Sequence, residues 1–254
     1  MTLVSVLLLS LLLGMTLGLV GGGGAVLGIP LLVYLADMPP EQAIKVNLLV
    51  IAIASLLGIW WGRKRGILHH RAIFLIGGMG ALGAPLGASI THHLSEATLM
   101  VAMITLMGLA TFSIWRTRET ESESSHVPPV HRCQWRRCAL VGFTVGFLTG
   151  LLGVGGGVLL VPAMTILTKM PFRMASQTSM AITAINASVG FLSHLATPIE
   201  LSFTAIYLLM VVAGMLAAQS FRHLMTLRSL KLYFSSMMTA AALLMLFHHW
   251  HHTY

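Results

Sequence analysis

Charged residues are scarce in this sequence. Only 9% of its 254 residues are Asp, Glu, Lys or Arg, whereas a soluble domain carries roughly a quarter. Apolar residues make up 56% of the chain, and its mean hydropathy is +0.87. This composition excludes an ordinary soluble domain and a disordered chain, and it predicts an all-α polytopic membrane protein in contact with a lipid bilayer.

Carboxylates are the rarest charged groups. All seven lie in predicted loops or at the ends of apolar segments, at Asp37, Glu41, Glu96, Glu119, Glu121, Glu123 and Glu200. Cation carriers and proton pumps generally need a carboxylate inside the membrane to offset a buried positive charge. Its absence from the predicted spans disfavours those classes. The net charge of +8 is better explained by membrane topology than by nucleic-acid binding, because basic residues collect in cytoplasmic loops.

Long apolar runs alternate with short polar segments. The predicted membrane segments are 3–36, 46–62, 72–91, 97–115, 138–168, 174–196, 202–221 and 232–250. The stretch 116–137 is rich in Arg, Glu, Ser and Pro, and it cannot cross a bilayer or form a core. We therefore predict a first membrane repeat at 1–115, a linker at 116–137 and a second membrane repeat at 138–254.

The two halves match each other at one offset. A shift of 132 residues superposes six positions of the first half on identical residues of the second: Gly14, Gly18, Gly21, Gly23, Gly24 and Pro30 fall on Gly146, Gly150, Gly153, Gly155, Gly156 and Pro162. Such coincidences indicate an internal duplication, which is a common plan in transporters.

The distribution of Lys and Arg favours an inverted duplication. If 3–36 and 138–168 are each a hairpin that turns at its glycines, each half makes three net crossings, and fourteen of the fifteen basic residues fall on one side. The positive-inside rule makes that side cytoplasmic. The prediction is two inverted repeats in the bacterial inner membrane, each a glycine-cornered hairpin plus three transmembrane helices. The linker is then cytoplasmic, both termini are outside, and about eight membrane segments result.

The glycine corners are the first candidate binding site. Non-helical backbone inside a membrane must be covered by protein or face water. Successive glycine N–H groups, together with the positive end of the following helix, suit an anion. Close helix packing is the alternative explanation for any one glycine-rich stretch. The candidate residues are Gly22, Gly23 and Gly24, then Gly155, Gly156 and Gly157, with Pro30 and Pro162 as structural residues after each corner.

Polar residues mark one face of segment 174–196. Ser179, Thr183, Asn186 and His194 recur at helical spacing, so they share a stripe that must face protein or water. Helix–helix hydrogen bonding without ligand contact is the alternative. The equivalent face of the first half carries Asn47 and is otherwise apolar, which predicts an asymmetric site.

Lys45 and His194 are the remaining candidates for substrate contact. Lys45 is the one basic residue outside the cytoplasmic set, and it could draw an anion toward the corner, although a lysine reaching the headgroups would have the same sequence. His194 could bind an anion or respond to pH, or it could be a satisfied packing residue.

Histidines and cysteines elsewhere do not have the spacing of a structural metal site. The sequence also shows no spaced nucleophile, base and acid. We therefore predict no cofactor, no metal and no enzymatic activity. The two clusters concerned are His248, His249, His251 and His252 in the tail, and His126, His131, Cys133 and Cys138 in the linker.

The double glycine motif resembles the TauE/SafE family of sulfite and organosulfonate exporters. The first copy is Gly14-x3-Gly18-x2-Gly21-x-Gly23-Gly24-x5-Pro30, and the second continues through Gln177-Thr178-Ser179. The first copy has Lys45-Val46-Asn47 at the equivalent place and Ala25 in place of a glycine. The resemblance implies a permease for small sulfur anions and adds Gln177 and Thr178 to the candidate substrate contacts.

Together these observations predict a secondary permease for sulfite, sulfoacetate or another organosulfonate. The anion would bind at the paired corners near the midplane and cross by alternating access. A cation or metal permease, or a membrane protein that binds metal through its His-rich tail, is the alternative. Direction of transport, coupling ion and homo-oligomerisation stay open.

The inverted topology predicts which positions face outside. In a background without Cys133 and Cys138, single cysteines at positions 92 and 198 should react with an impermeant thiol reagent added outside intact cells. Cysteines at 120 and 226 should react only after permeabilisation. Outside labelling of position 226 would instead indicate two parallel halves.

Overall fold

The computed structural model describes residues 3–62, 70–91, 93–116, 135–153, 156–168 and 172–221, and scattered residues between 229 and 243. Every regular element in this part of the chain is helical, which confirms the predicted all-α class. The elements are α1 Leu3–Val20, a 3-10 turn Gly22–Leu27, α2 Gly28–Tyr34, α3 Pro40–Gly62, α4 His70–Ala72, a π-helical turn Ile73–Gly77, α5 Gly78–Thr91, α6 Glu96–Arg116, α7 Trp135–Leu152, α8 Gly157–Thr168, α9 Phe172–Ser193 and α10 Leu201–Phe221.

Three described helices are long and apolar enough to cross a bilayer: Pro40–Trp61, His70–Thr91 and Leu201–Ser220. Their outward faces carry large exposed apolar side chains such as Leu82, Leu86 and Leu209, which suit contact with lipid. Helix α9 is equally long but is rich in Ser, Thr and Asn, and those side chains are largely buried within the protein. It is therefore a central helix rather than a lipid-facing one.

Helices α1, α3 and α10 run in the same direction. Gly28 lies beside both Asn47 and Tyr207, near the starts of α3 and α10, while Gln219 donates to the carbonyl of Gly58 at their far ends (3.4 Å). Gly14 and Gly18 of α1 pack in turn against successive turns of α10. Because α1 and α3 are parallel, the chain between Val20 and Pro40 must return to the side it left, as the hairpin prediction requires.

The first helix of each half packs against a helix of the other half through glycines. A Cβ on Gly14 would overlap the backbone of Val211, and one on Gly146 would overlap that of Gly80. The same relation holds four residues later, where Gly18 meets Met215 and Gly150 meets Ala84. The pairs α1–α10 and α7–α5 are therefore built alike, and small residues let their backbones approach closely.

Helices α3 and α9 form the central pair and run antiparallel. Gly58 lies against Met180 near one end, whereas Gly190 lies against Leu48 toward the other. These helices occupy equivalent places in the two halves. A two-fold axis can exchange two antiparallel helices only if it is perpendicular to them. Inverted repeats are related by an axis of this kind.

Helices α1 and α7 end in the same way. The N–H of Gly21 donates to Leu17 O (2.9 Å) and that of Gly153 to Thr149 O (2.8 Å), and both glycines have positive φ, +89° and +66°. This is the left-handed termination that glycine adopts without steric cost. The helices α1 and α7 have 18 residues each, and the helices that follow their corners, α2 and α8, have 7 and 12.

The two corners differ after that glycine. In the first, six residues form the 3-10 turn and α2 begins at Gly28, seven residues after Gly21. In the second, α8 begins at Gly157, only four residues after Gly153. Pro30 is the third residue of α2, where no intrahelical N–H is needed. Pro162 is the sixth residue of α8, so it lies within that helix rather than at its start.

The linker and tail predictions fall mostly on residues that the structure does not describe. Helix α6 ends at Arg116 and α7 begins at Trp135, and 117–134 and 244–254 lie outside the described residues. The histidine clusters at 126–131 and 248–252 are therefore also outside them, and the domain boundaries stay predictions.

We call the close helix contacts at Gly14, Gly18, Gly146 and Gly150 the glycine seams. They predict opposite effects on stability for two Gly→Ala changes, one inside a seam and one outside it. Gly150→Ala places a methyl group in the backbone of Ala84 and should destabilise the protein by about 1–3 kcal/mol. Gly108→Ala in α6 meets nothing within 4 Å and should be neutral or stabilising by up to about 1 kcal/mol. Thermal unfolding in detergent measures both changes. Equal midpoints for the two variants would contradict the seam.

Candidate functional site

The two glycine corners touch each other in the interior. A Cβ added at Gly22 would lie 3.1 Å from the Cα of Gly157, and one added at Gly157 would overlap the carbonyl of Gly22. The corner from one half therefore lies directly against the corner from the other half. A side chain added at either glycine would collide with its surroundings at this contact.

The second corner opens the N-terminus of a twelve-residue helix. Helix α8 begins at Gly157, and the N–H groups of Leu159 and Leu160 donate to the carbonyl of Gly156 (3.2 Å each). The N–H groups at the very start of a helix have no acceptor within it. They and the helix dipole present partial positive charge at the point where the corners meet.

Thr183 of α9 faces this junction, and Asn186, one turn further along α9, faces Gly80 of α5. A Cβ at Gly22 would collide with Thr183 Oγ1, and one at Gly80 would lie 2.8 Å from Cγ of Asn186. Both side chains are fully buried. Among the described residues, neither Thr183 Oγ1 nor either amide atom of Asn186 has a hydrogen-bond partner.

Ser55 is a third buried polar residue at the same level. The antiparallel register set by Gly58 with Met180 and by Leu48 with Gly190 places Ser55 of α3 opposite Thr183. Its hydroxyl is fully buried and has no partner within the described part of the chain. We define Ser55, Thr183 and Asn186 as the central polar cluster.

The energetic cost of this cluster points to a ligand. Each buried polar group without a partner costs about 1–3 kcal/mol, and native structures hold few of them. Three such residues beside a helix N-terminus are hard to explain by packing alone. Their donors and acceptors can be satisfied by a small polar ligand.

Other predicted residues of α9 are used within the protein. Ser179 Oγ donates to Ser176 O of its own helix (2.8 Å), and Gly21 packs against the backbone and side chain of Ser176. Thr178 is buried and Gln177 is partly buried. Ser176 packs against the first corner at Gly21. Gln177, Thr178 and Ser179 follow it on α9, ahead of the central polar cluster.

Asn47 joins the two halves. Its Nδ2 donates to the carbonyl of Gly153 (2.8 Å), and its Oδ1 lies against Gly28. Asn47 precedes Ser55 by eight residues, which is about 12 Å along a helix axis. Asn47 therefore holds Gly153, the glycine that follows α7, and it does not contact the junction of Gly22 and Gly157.

Lys45 and His194 lie at one end of the protein, away from that junction. Lys45 is buried, its Nζ donates to the carbonyls of Leu195 (2.8 Å) and Thr197, and it lies 5.8 Å from the ring centroid of Phe191. His194 Nδ1 is hydrogen-bonded to Gly190 O (2.9 Å). The ammonium group thus caps the end of α9.

The remaining candidates are placed as follows. Gly23 and Gly24 belong to the 3-10 turn after Gly22, Gly156 lies just before α8 with φ +67°, and Gly155 is outside the described residues. The structure thus brings Gly22, Gly157 and Thr183 together and places Asn186 one turn further along α9, against α5. It separates Lys45, Asn47 and His194 from them.

Two buried polar residues were not found from the sequence. Ser55 continues the face of Asn47 and Ile51 at steps of four residues, so helical periodicity offered a signal. Tyr207 had none, because it is an isolated tyrosine in an apolar span, yet it is buried with its hydroxyl beside Gly28.

Comparison with known proteins gives a family and several relatives. The description "Sulfite exporter TauE/SafE" fits residues 6–245. A "Probable membrane transporter protein" of Xylella fastidiosa (strain Temecula1) is 32% identical over 167 residues, 63% of this chain and 61% of that protein. The "Probable membrane transporter protein YunE" of Bacillus subtilis (strain 168) is 29% identical over 217 residues, 77% of this chain and 79% of that protein.

The matched region thus spans less than two thirds of the Xylella relative's length. No solved structure matches the chain. The family match nevertheless extends over both halves, from the start of α1 to beyond α10, and includes both glycine corners. The chain therefore belongs to the sulfite exporter TauE/SafE family of membrane proteins.

Proposed function

We propose that the protein is a secondary permease for small sulfur-containing anions: sulfite, sulfoacetate or another organosulfonate. The observation that carries the proposal is the contact between Gly22 and Gly157 beside the buried hydroxyl of Thr183, with the buried amide of Asn186 one turn further along α9. Neither side chain has a hydrogen-bond partner among the described residues. An anion bound there accepts hydrogen bonds from the start of α8, from the Thr183 hydroxyl and from the Asn186 amide.

The charge of the surrounding segments supports an anion. The stretches 46–62, 138–168, 174–199 and 201–221 contain no Lys, Arg, Asp or Glu. A cation at this site would meet the positive end of α8 without a carboxylate to offset its charge, which is unfavourable in a membrane interior. The cation or metal permease is therefore the weaker alternative.

The helix arrangement supports alternating access. The antiparallel pair of α3 and α9 carries the central polar cluster, and the similar pairs α1–α10 and α5–α7 lie in equivalent places of the two halves. Two equivalent halves can exchange conformations around a fixed site, which opens it to one side and then the other. Glycine seams allow such pairs to move as units.

The membrane potential favours export. An anion leaving a cell at −100 mV gains about 2.3 kcal/mol per charge, so export needs no coupling ion and uptake does. The family description and the names of the relatives agree with transport across a membrane. We further propose a bacterial inner-membrane location with the 116–137 linker in the cytoplasm, and no enzymatic activity.

Removing the unpartnered side chains should abolish most of the transport. Thr183→Val and Asn186→Leu remove polar atoms and keep the approximate volume. Because hydrogen bonds to charged groups are worth about 1.5–3 kcal/mol, we expect each to reduce flux of radiolabelled sulfite into liposomes by roughly tenfold or more.

The matched control is Thr105→Val, which removes a hydroxyl bonded to Val101 O on exposed α6 (2.7 Å) and should leave sulfite flux unchanged. Wild-type sulfite flux that both α9 variants retain would exclude this site. Zinc flux without anion flux would exclude the proposed class.

The His-rich tail is not required under this proposal. A chain truncated before residue 248 should move sulfite at the wild-type rate, whereas a metal-binding function of the tail predicts loss of activity. Flux in the presence and absence of a chelator separates the two cases, since only the tail-dependent function should respond to metal removal.

A further inference from the structure

Tyr207 has a buried hydroxyl that the central polar cluster does not use. The side chain is 1% exposed, and its ring stacks on Phe203 with centroids 6.2 Å apart and planes at 7°. Among the described residues its hydroxyl has no hydrogen-bond partner. Phenylalanine would give the same stacking without burying a polar atom, so packing does not account for this hydroxyl.

A second polar residue converges on the same point. The position of a Cβ on Gly28 would be 3.0 Å from the Tyr207 hydroxyl and would overlap Asn47 Oδ1. The hydrogen bond from Asn47 Nδ2 to Gly153 O (2.8 Å) fixes the Asn47 side chain across the two halves. Three helices, α2, α3 and α10, thus bring a hydroxyl and an amide together beside Gly28, where a side chain on residue 28 would collide with the amide.

This point lies between the central polar cluster and the end that carries Lys45. Asn47 precedes Ser55 by eight residues, or about 12 Å of helix, which exceeds the reach of a small sulfonate bound at Thr183. Lys45 is two residues before Asn47, and its ammonium group is held on the carbonyls of Leu195 and Thr197. The positive charge of Lys45 therefore makes this half of the interior the more favourable one for an anion.

We infer that the Tyr207 hydroxyl, beside Asn47 and Gly28, is a second anion-binding station on the transport path. It donates its one hydrogen bond to an oxygen of the sulfite or sulfonate as the anion passes between the central polar cluster and the Lys45 end. The inference rests on the proposed permease function and adds a specific residue and a second position to it.

Tyr207→Phe tests the station, because it removes only the hydroxyl. We expect sulfite flux in liposomes to fall by about tenfold, the value of one hydrogen bond to a charged group. The thermal midpoint of the empty protein should stay the same or rise, since an unpartnered buried hydroxyl is lost. A structural tyrosine would show the reverse pattern: a lower midpoint with flux in proportion to folded protein.

Tyr233→Phe is the matched control, since it makes the same chemical change at a residue outside the path, and it should keep wild-type flux. Wild-type flux in Tyr207→Phe, together with loss of flux in Thr183→Val, would overturn the second station and leave the proposed permease intact. Absence of anion flux in the wild-type protein would overturn both.

A labelling experiment gives an independent readout. In a background without Cys133 and Cys138, Tyr207→Cys should react with a small anionic methanethiosulfonate reagent, and methanesulfonate should slow the reaction at least several-fold. An equal concentration of chloride should slow it less. A cysteine at 207 that never reacts, or one that methanesulfonate does not protect, would overturn the station even if Tyr207→Phe lowers flux.

Discussion

Non-helical backbone inside a membrane must be covered by protein, and the rest of this structure depends on that constraint. Two helices end at left-handed glycines, Gly21 and Gly153, and the chain turns inside the protein. Lipid cannot satisfy the N–H and C=O groups freed at such turns. The corners therefore have to be covered by neighbouring helices, and their own polar groups become available to a ligand in the interior.

The surrounding helices meet this requirement through small residues. Gly14 and Gly18 let α1 lie against α10, and Gly146 and Gly150 let α7 lie against α5. Each seam fixes a helix that ends in a corner, so the two corners can meet at Gly22 and Gly157. The glycine seams therefore position the corners that form the candidate site. We expect a methyl group added in a seam to displace a corner.

The symmetry of this framework is not shared by its side chains. Where α9 presents Thr183 and Asn186, the equivalent positions of α3 are Ile51 and Ala54, both fully buried. Asn47 reaches across to the opposite corner, whereas its equivalent, Ser179, bonds within its own helix. The two sides of the interior thus contribute different polar groups: Thr183 and Asn186 from α9, and Ser55 from α3. The proposed substrate, an anion with a charged head and a small body, would meet different side chains on the two sides.

The sequence by itself determined the helical class and the positions of the glycine breaks, because hydropathy and glycine spacing are local properties of the chain. The offset of 132 residues predicts the duplication. The sequence also identified Thr183 and Asn186 as members of one helical face. Only the tertiary structure decided which buried polar groups have partners. Lys45 bonds to the carbonyls after α9 and Asn47 bonds to Gly153, in each case to residues more than 100 positions away. The Tyr207 hydroxyl, in contrast, lies beside Gly28 without a partner among the described residues. Hydrogen bonding of this kind depends on helix register and crossing geometry, which one-dimensional periodicity does not encode.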